Sequence, residues 1–91
     1  MKVTLINSTW NHGVNVEVAT GPDDANAPTP NYPRQHKRMN FNSSWEIDVA
    51  DGYDLWYRRD LDPDHPTIPP IYANSWNHLV NYGDDREEDV S

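Results

Sequence analysis

The stretch Trp45–Asp60, WEIDVADGYDLWYRRD, decides the fold of this chain. Apolar side chains stand at every second position on both sides of residues 50–52, which is the pattern of two half-buried strands around a turn. A three-residue loop puts the apolar residues of both strands on one face, whereas a two-residue turn would expose half of them. Gly52 suits the left-handed position that such a loop needs. The stretch therefore predicts an antiparallel hairpin.

The same register predicts the outer face of this hairpin. Asp48 is expected opposite Asp54, and Glu46 opposite Trp56. Like charges directly across a ladder are mildly destabilising, so an acidic pair beside an exposed tryptophan is a candidate binding surface. The alternative is a solvated face whose charges keep the hairpin soluble. With one arginine from the strand end and one tryptophan from further along the chain, the candidate binding residues are Glu46, Asp48, Asp54, Trp56, Arg58 and Trp76.

Shorter segments with similar patterning predict the other strands. Residues 2–9 and 14–18 are expected to form a hairpin, residues 35–41 a third strand with Met39 and Phe41 inward, and residues 71–82 contain the last strand. No segment combines a helical period with proper caps. The prediction is an all-β fold, a small antiparallel β-sandwich of about six strands, rich in hairpins and with long proline-rich loops.

Two segments outside the strands affect the domain boundaries. Gly21–Arg34 carries four prolines, so it can be neither a helix nor a central strand. It is interpreted as a binding loop or, alternatively, as a crossover between two sheets. Residues 1–82 are predicted to form one domain, and residues 83–91, GDDREEDVS, an acidic and flexible tail.

Charge and composition narrow the range of partners. The formal net charge of the 91 residues is -8, which argues against nucleic acid or an anionic membrane and permits a basic protein or a divalent cation. No cysteine is present, so neither disulfides nor thiolate metal sites are available. No targeting segment or membrane span is visible. A cytoplasmic location is therefore favoured, with a secreted mature chain as the alternative.

One segment has a pattern that could bind a metal ion. Asp60, Asp62 and Asp64 alternate in DLDPDHP, so in an extended segment their carboxylates would share one side and suit Ca²⁺. The match to an EF-hand loop fails, because two prolines interrupt it and the turn glycine is missing. The alternative is a turn-rich, solvated loop. No other cofactor is expected.

The motifs of common enzyme classes are absent from the sequence, and no catalysis is expected. The first hypothesis is a non-catalytic binding module, a small acidic protein-interaction, inhibitor or accessory protein that docks on a basic partner. One alternative is a carbohydrate or small-ligand module, assisted by Ca²⁺, with Trp56 and Trp76 as platforms for sugar rings. The second alternative is a self-associating structural subunit that forms a homo-oligomer.

Overall fold

The structure, a computed structural model, describes residues 1–22 and 27–91. All regular secondary structure in these residues is β-strand, which confirms the all-β class. The strands are β1 (Lys2–Ile6), β2 (Val14–Pro22), β3 (Arg34–Met39), β4 (Ser44–Asp48), β5 (Tyr53–Arg59), β6 (Asn77–Leu79) and β7 (Arg86–Asp89). They form a three-stranded sheet in the order β4-β1-β7 and a four-stranded sheet in the order β3-β2-β5-β6. Strand pairs are antiparallel apart from β1 and β7, which run parallel.

One apolar core is shared by the two sheets. The alternation of the strands directs every second side chain into it, and burial of each large apolar side chain contributes about 1.5–3 kcal/mol. The buried cluster consists of Val3, Leu5, Ile47, Val49 and Val90 from the side of the three-stranded sheet and Val14, Val16, Val18, Met39, Leu55, Tyr57 and Leu79 from the four-stranded sheet. None of the described segments is a helix long and apolar enough to cross a membrane.

The hairpin predicted over Trp45–Asp60 is wrong. β4 pairs with β1, and β5 pairs with β2 and β6, so the two strands lie in different sheets. Gly52 has the predicted left-handed conformation, with a φ of 79°. The Tyr53 N–H donates to the Ala50 carbonyl at 3.0 Å, so the turn has two central residues, Asp51 and Gly52, and the predicted three-residue loop is wrong. Period-two alternation cannot distinguish neighbouring strands from strands that face each other across a core, since both arrangements bury the same side chains.

The hairpin predicted over residues 2–18 is wrong for the same reason. β1 pairs with β4 and β7, whereas β2 pairs with β3 and β5. The third strand is shorter than predicted: Met39 is buried as expected, but Phe41 is 43% exposed because it follows the end of β3. Trp45 is half-buried at the margin of the core.

The segment Gly21–Arg34 connects β2 to β3, which are neighbours in one sheet, so the alternative of a crossover between sheets is wrong. Part of the predicted binding loop, residues 23–26, lies outside the described residues. In the described part, the Tyr32 ring packs against Gly21. An added Cβ at Gly21 would lie 2.5 Å from Tyr32 Cδ2, so only glycine allows this close approach.

The predicted flexible tail at residues 83–91 is also corrected. Arg86–Asp89 form β7, which pairs with β1, and the next residue, Val90, is 1% exposed in the core. The Val90 N–H donates to the Ile6 carbonyl at 2.9 Å. The prediction of a flexible tail relied on the acidic composition of this segment. That composition comes mostly from outward-facing side chains, whereas the single apolar residue, Val90, packs in the core and holds the segment in place.

Candidate functional site

The outer face of the four-stranded sheet carries a layer of polar and aromatic side chains. On β2, Glu17 and Ala19 alternate with the core valines and are nevertheless buried, and so are Asp54 and Trp56 on β5. This face is therefore covered by other parts of the chain and does not lie open to water. A buried carboxylate needs hydrogen-bond partners to offset its desolvation, and those partners define the layer.

Glu17 lies at the centre of the layer. Arg58 Nε and Nη2 both lie 2.8 Å from Glu17 Oε1, and His36 Nε2 lies 2.7 Å from Oε2. Arg34 Nε is 3.9 Å from the same carboxylate. β2 lies between β3 and β5, with Glu17 paired with His36 on one side and Arg58 on the other. The register of three strands thus sets this arrangement.

Two aromatic rings cover the arginine. The guanidinium carbon of Arg58 lies 4.3 Å from the centroid of Trp76 and 5.5 Å from that of Tyr72. Arg34 lies over the same Trp76 ring at 5.3 Å. Burial raises the pKa of the Tyr72 hydroxyl, and the negative charge of Glu17 raises it further. The rings exclude water from the ion pair and strengthen it.

A second group occupies the other end of the layer. The imidazole of His78 stacks on Trp56 with ring centroids 4.6 Å apart, and Tyr32 contacts the same indole at 5.6 Å. His78 Nε2 lies 2.6 Å from Asp54 Oδ2, and the Asn81 N–H donates to Asp54 Oδ1 at 2.9 Å. These contacts explain why Trp56 is fully buried.

The predicted binding surface is therefore divided. Asp54 and Trp56, expected on an open face, are 3% and 0% exposed. Arg58 and Trp76 are partly buried in the polar layer and stack on each other. Glu46 and Asp48 are exposed on β4, in the other sheet. The expectation of one shared open face is wrong, because it assumed a hairpin with a solvated outer face.

The predicted metal site is not assembled either. Asp60 is 2% exposed, and its carboxylate accepts hydrogen bonds from Asn15, from the backbone N–H at 2.7 Å and from Nδ2. Asp62 instead lies 3.0 Å from the ring of His65, and Asp64 is exposed. Among residues 1–22 and 27–91, no group of three or more acidic or histidine side chains is placed to hold a metal ion. The role of Asp60 is to join β2 to β5.

The loop of residues 61–71 projects beyond the end of β5. It is closed at its base, where the Leu61 N–H donates to the Ile71 carbonyl at 2.8 Å and Asp60 pairs with Tyr72. Large exposed aliphatic side chains are typical of contact surfaces when they cluster. Three such residues occur on this loop, 61%, 100% and 58% exposed: Leu61, Ile68 and Ile71.

A concave surface lies between this loop and the edge strand β3. One part of it has a volume of about 360 Å³ and the adjoining part about 400 Å³. We call this surface the β3 groove. Its walls are prolines, an aromatic ring and an aliphatic side chain on the loop side, and polar and cationic groups on the strand side. The lining residues are Asn15, His36, Lys37, Arg38, Pro66, Thr67, Ile68, Pro69, Pro70 and Tyr72.

The cations of the β3 groove contrast with the net charge of the chain. Lys37 and Arg38 are exposed, and no carboxylate in the described parts of the chain forms a salt bridge with either. Arg38 donates instead to the His12 carbonyl at 2.5 Å, and Lys37 lies over the Trp45 ring at 5.9 Å. Two cations without a carboxylate partner, in a chain of charge -8, leave this groove electropositive.

The outer face of the three-stranded sheet has the opposite charge. β1 lies in the middle, and its Thr4 has Glu46 of β4 on one side and Glu87 of β7 on the other. The same face bears Lys2, the one cation that β1 contributes. The four carboxylates, which we call the acidic face, are all exposed: Glu46, Asp48, Glu87 and Asp89. Asp89 has a lowered pKa, because it accepts a hydrogen bond from the Ser8 hydroxyl.

Sequence reasoning missed several residues of these surfaces. Glu17 and His78 looked like ordinary polar positions, because nothing in a period-two pattern shows that an outer face is covered. Glu87 and Asp89 were assigned to the tail. The cluster of cations on β3 was visible in the sequence, but its proximity to the loop at residues 61–71 depends on tertiary structure.

The comparisons with known proteins add no assignment. No family model, no curated protein and no solved structure matches the chain.

Proposed function

We propose that this chain is a non-catalytic protein-interaction module, in which two sheets packed as a β-sandwich present the β3 groove to a polypeptide partner. The observation that carries the proposal is the fully exposed Ile68, which lines one part of the concave surface with Arg38, while Lys37 lines the adjoining part. An aliphatic side chain without cover and cations without carboxylate partners favour a ligand that supplies both apolar and acidic groups. An extended peptide segment that alternates the two fits this requirement.

The rest of the structure supports a preformed site. The polar layer beneath the groove is held by the Glu17–Arg58 pair, and Tyr72 belongs both to that layer and to the groove wall. Rigid support lowers the entropic cost of binding.

The lack of cysteine fits a reducing compartment, and the cytoplasm is the location we propose.

The other hypotheses from the sequence differ in how well the observed surfaces support them. The carbohydrate hypothesis relied on Trp56 and Trp76 as open platforms, and burial of the first and arginine stacking on the second leave it without support. The basic partner predicted from the net charge fits the acidic face, on the opposite side of the molecule from the groove. We assign that face to a second contact.

A peptide titration tests the groove. The ligand is a fluorescently labelled peptide that alternates glutamate with valine, followed by anisotropy at low salt and then at higher salt. The groove variant combines Lys37→Gln, Arg38→Gln and Ile68→Ser, and we expect it to weaken binding by about tenfold or more. The matched control Lys2→Gln removes one positive charge outside the groove and should leave the affinity unchanged.

The result can also contradict the proposal. Equal binding of the glutamate peptide to the wild type and to the groove variant would show that the groove is not the site. If the wild type binds a peptide that alternates lysine with valine as tightly as it binds the glutamate peptide, the charge of the groove does not select its ligand. The expected loss of affinity with added salt follows from screening of exposed charges.

A further inference from the structure

The β3 groove and the acidic face are complementary surfaces of one molecule. We propose that the groove binds the acidic face of a second copy of this chain, so that copies associate head to tail. The inference rests on the proposed function, because it names the partner of the same groove. It also accounts for the acidic face, whose expected basic partner is then the groove of the next copy.

The charges of the two surfaces are opposite in sign. The groove offers Lys37 and Arg38, with His36 beside them. The acidic face offers four exposed carboxylates, two of which, Glu46 and Glu87, lie on either side of Thr4. Complementary potentials of this kind select the correct partner and its register.

The apolar groups also match. Ile68 is 100% exposed at the rim of the groove. On the acidic face, Ile6 is half-buried in the middle strand, between Ser44 of β4 and Asp89 of β7. A contact that covers Ile68 with this part of the face would remove apolar surface of both copies from water. Area is not limiting, since a stable contact takes about 800 Å² per partner and the chain exposes 5431 Å².

The positions of the surfaces determine the kind of assembly. Each is on the outer side of its own sheet, and both sheets face the same core from opposite sides. A groove on one copy that binds a face on the next leaves a free groove at one end and a free face at the other. Such a heterologous contact gives open chains or rings of copies and no closed two-fold dimer.

The net charge of -8 on each copy opposes association over long distances. At about 0.1 M salt the Debye length is about 10 Å, shorter than the 16 Å of the smallest dimension of the molecule. Repulsion between whole copies is then largely screened, whereas charge pairs within a contact persist. Association should therefore be seen at moderate salt and lost at high salt.

The test uses sedimentation velocity at moderate salt, with the protein as its own ligand. The groove variant carries Lys37→Gln, Arg38→Gln and Ile68→Ser, and the face variant carries Glu46→Gln and Glu87→Gln. The average mass of the wild type is expected to rise with concentration, while each variant alone stays monomeric. An equimolar mixture of the two variants should give a dimer and nothing larger, because each variant keeps one intact surface.

Two controls separate this contact from a general effect of charge. The variant with Asp51→Asn and Asp64→Asn loses two exposed carboxylates outside the acidic face, and it should associate like the wild type. Lys2→Gln removes the cation beside the acidic face, so it should associate at least as strongly. All substituted side chains are exposed; if a variant should melt early, a dilution series of amide NMR spectra on the wild type locates the contact instead.

The outcomes distinguish the inference from the proposed function. A wild type that stays monomeric at millimolar concentration, or a variant mixture that stays monomeric, overturns the head-to-tail contact. If the groove still binds the glutamate peptide in that case, the proposed function stands without it. If both variants associate with themselves as strongly as the wild type does, the contact lies elsewhere and the inference fails.

Discussion

Arg58 and Glu17, on neighbouring strands, are joined through two guanidinium nitrogens that lie 2.8 Å from one carboxylate oxygen. The second oxygen of Glu17 contacts His36, and Trp76 covers the arginine. Through Glu17 of β2, the arginine of β5 is thus linked to His36 of β3, the strand that borders the groove. Its integrity is therefore a condition for a preformed groove.

Removal of the carboxylate should cost much more than removal of an exposed one. Glu17→Ala leaves Arg58 and His36 without their anion in a half-buried layer, and we expect a loss of about 2–3 kcal/mol in the free energy of unfolding. Glu46→Ala, on the solvated face, should change it by less than about 0.5 kcal/mol. Urea denaturation measures both. Similar small values for the two variants would mean that the Glu17 cluster contributes little to stability.

Gly21 and Tyr32 form a second pair that can be tested. Gly21→Ala would place a methyl group 2.5 Å from the ring of Tyr32, and overpacking of this kind costs about 1–3 kcal/mol. In the background of Tyr32→Ala the same substitution should be neutral or stabilising, because alanine restricts the unfolded chain. A double-mutant cycle measures the coupling. Equal costs in both backgrounds would contradict the described packing of Tyr32.

Asp60 is expected to act in stability and not in calcium binding. Asp60→Ala leaves the Asn15 N–H without its acceptor, so we predict a loss of about 1–3 kcal/mol. For each of the two proteins, the variant and the wild type, the melting temperature in calcium should equal its melting temperature in chelator. Asp64→Ala, at an exposed position, is the control. A wild-type melting temperature that rises with calcium, in a way that Asp60→Ala abolishes, would restore the metal hypothesis.

Tyr57 should make the domain sensitive to alkali. Burial in the core raises the pKa of its hydroxyl above 10.0, and the negative charges of Glu88 and Asp89 raise it further. The unfolded chain then releases this proton at a lower pH than the folded chain. Stability is complete below pH 10 and falls as the pH rises from there through the folded-state pKa.

Denaturation at pH 8 and at pH 11 measures this effect. Tyr57→Phe should lose less stability between the two pH values than the wild type does. The control Tyr82→Phe alters a side chain that is 81% exposed, and its pH dependence should match that of the wild type. If Tyr57→Phe shows the wild-type dependence as well, the alkaline loss has another source.

The sequence predicted the inward residues better than the arrangement of strands. The alternation of Ile47 and Val49, and of Leu55 and Tyr57, correctly identified core positions, because it places these apolar side chains on one face of each strand. It did not report which strand lies beside which, since pairing in a β fold depends on contacts between residues distant in the chain. Glu17 shows the same limit, because its burial comes from side chains that other segments place over it.

The candidate surfaces followed the same rule. The charges of Lys37 and Arg38 were apparent in the sequence, but the groove exists because the loop that holds Ile68 lies against β3. The acidic face was only half visible, since its other half comes from the segment predicted as a tail. Surfaces assembled from distant segments cannot be derived from local patterns alone.

Amide NMR spectra recorded during titration with the glutamate-valine peptide show directly whether the β3 groove is a protein-binding surface. If it is, we expect shifts at Lys37, Arg38, Thr67, Ile68 and Tyr72, with the same positions unmoved by the lysine-valine peptide. Unchanged spectra at millimolar peptide, or shifts confined to the acidic face, would contradict the proposed function.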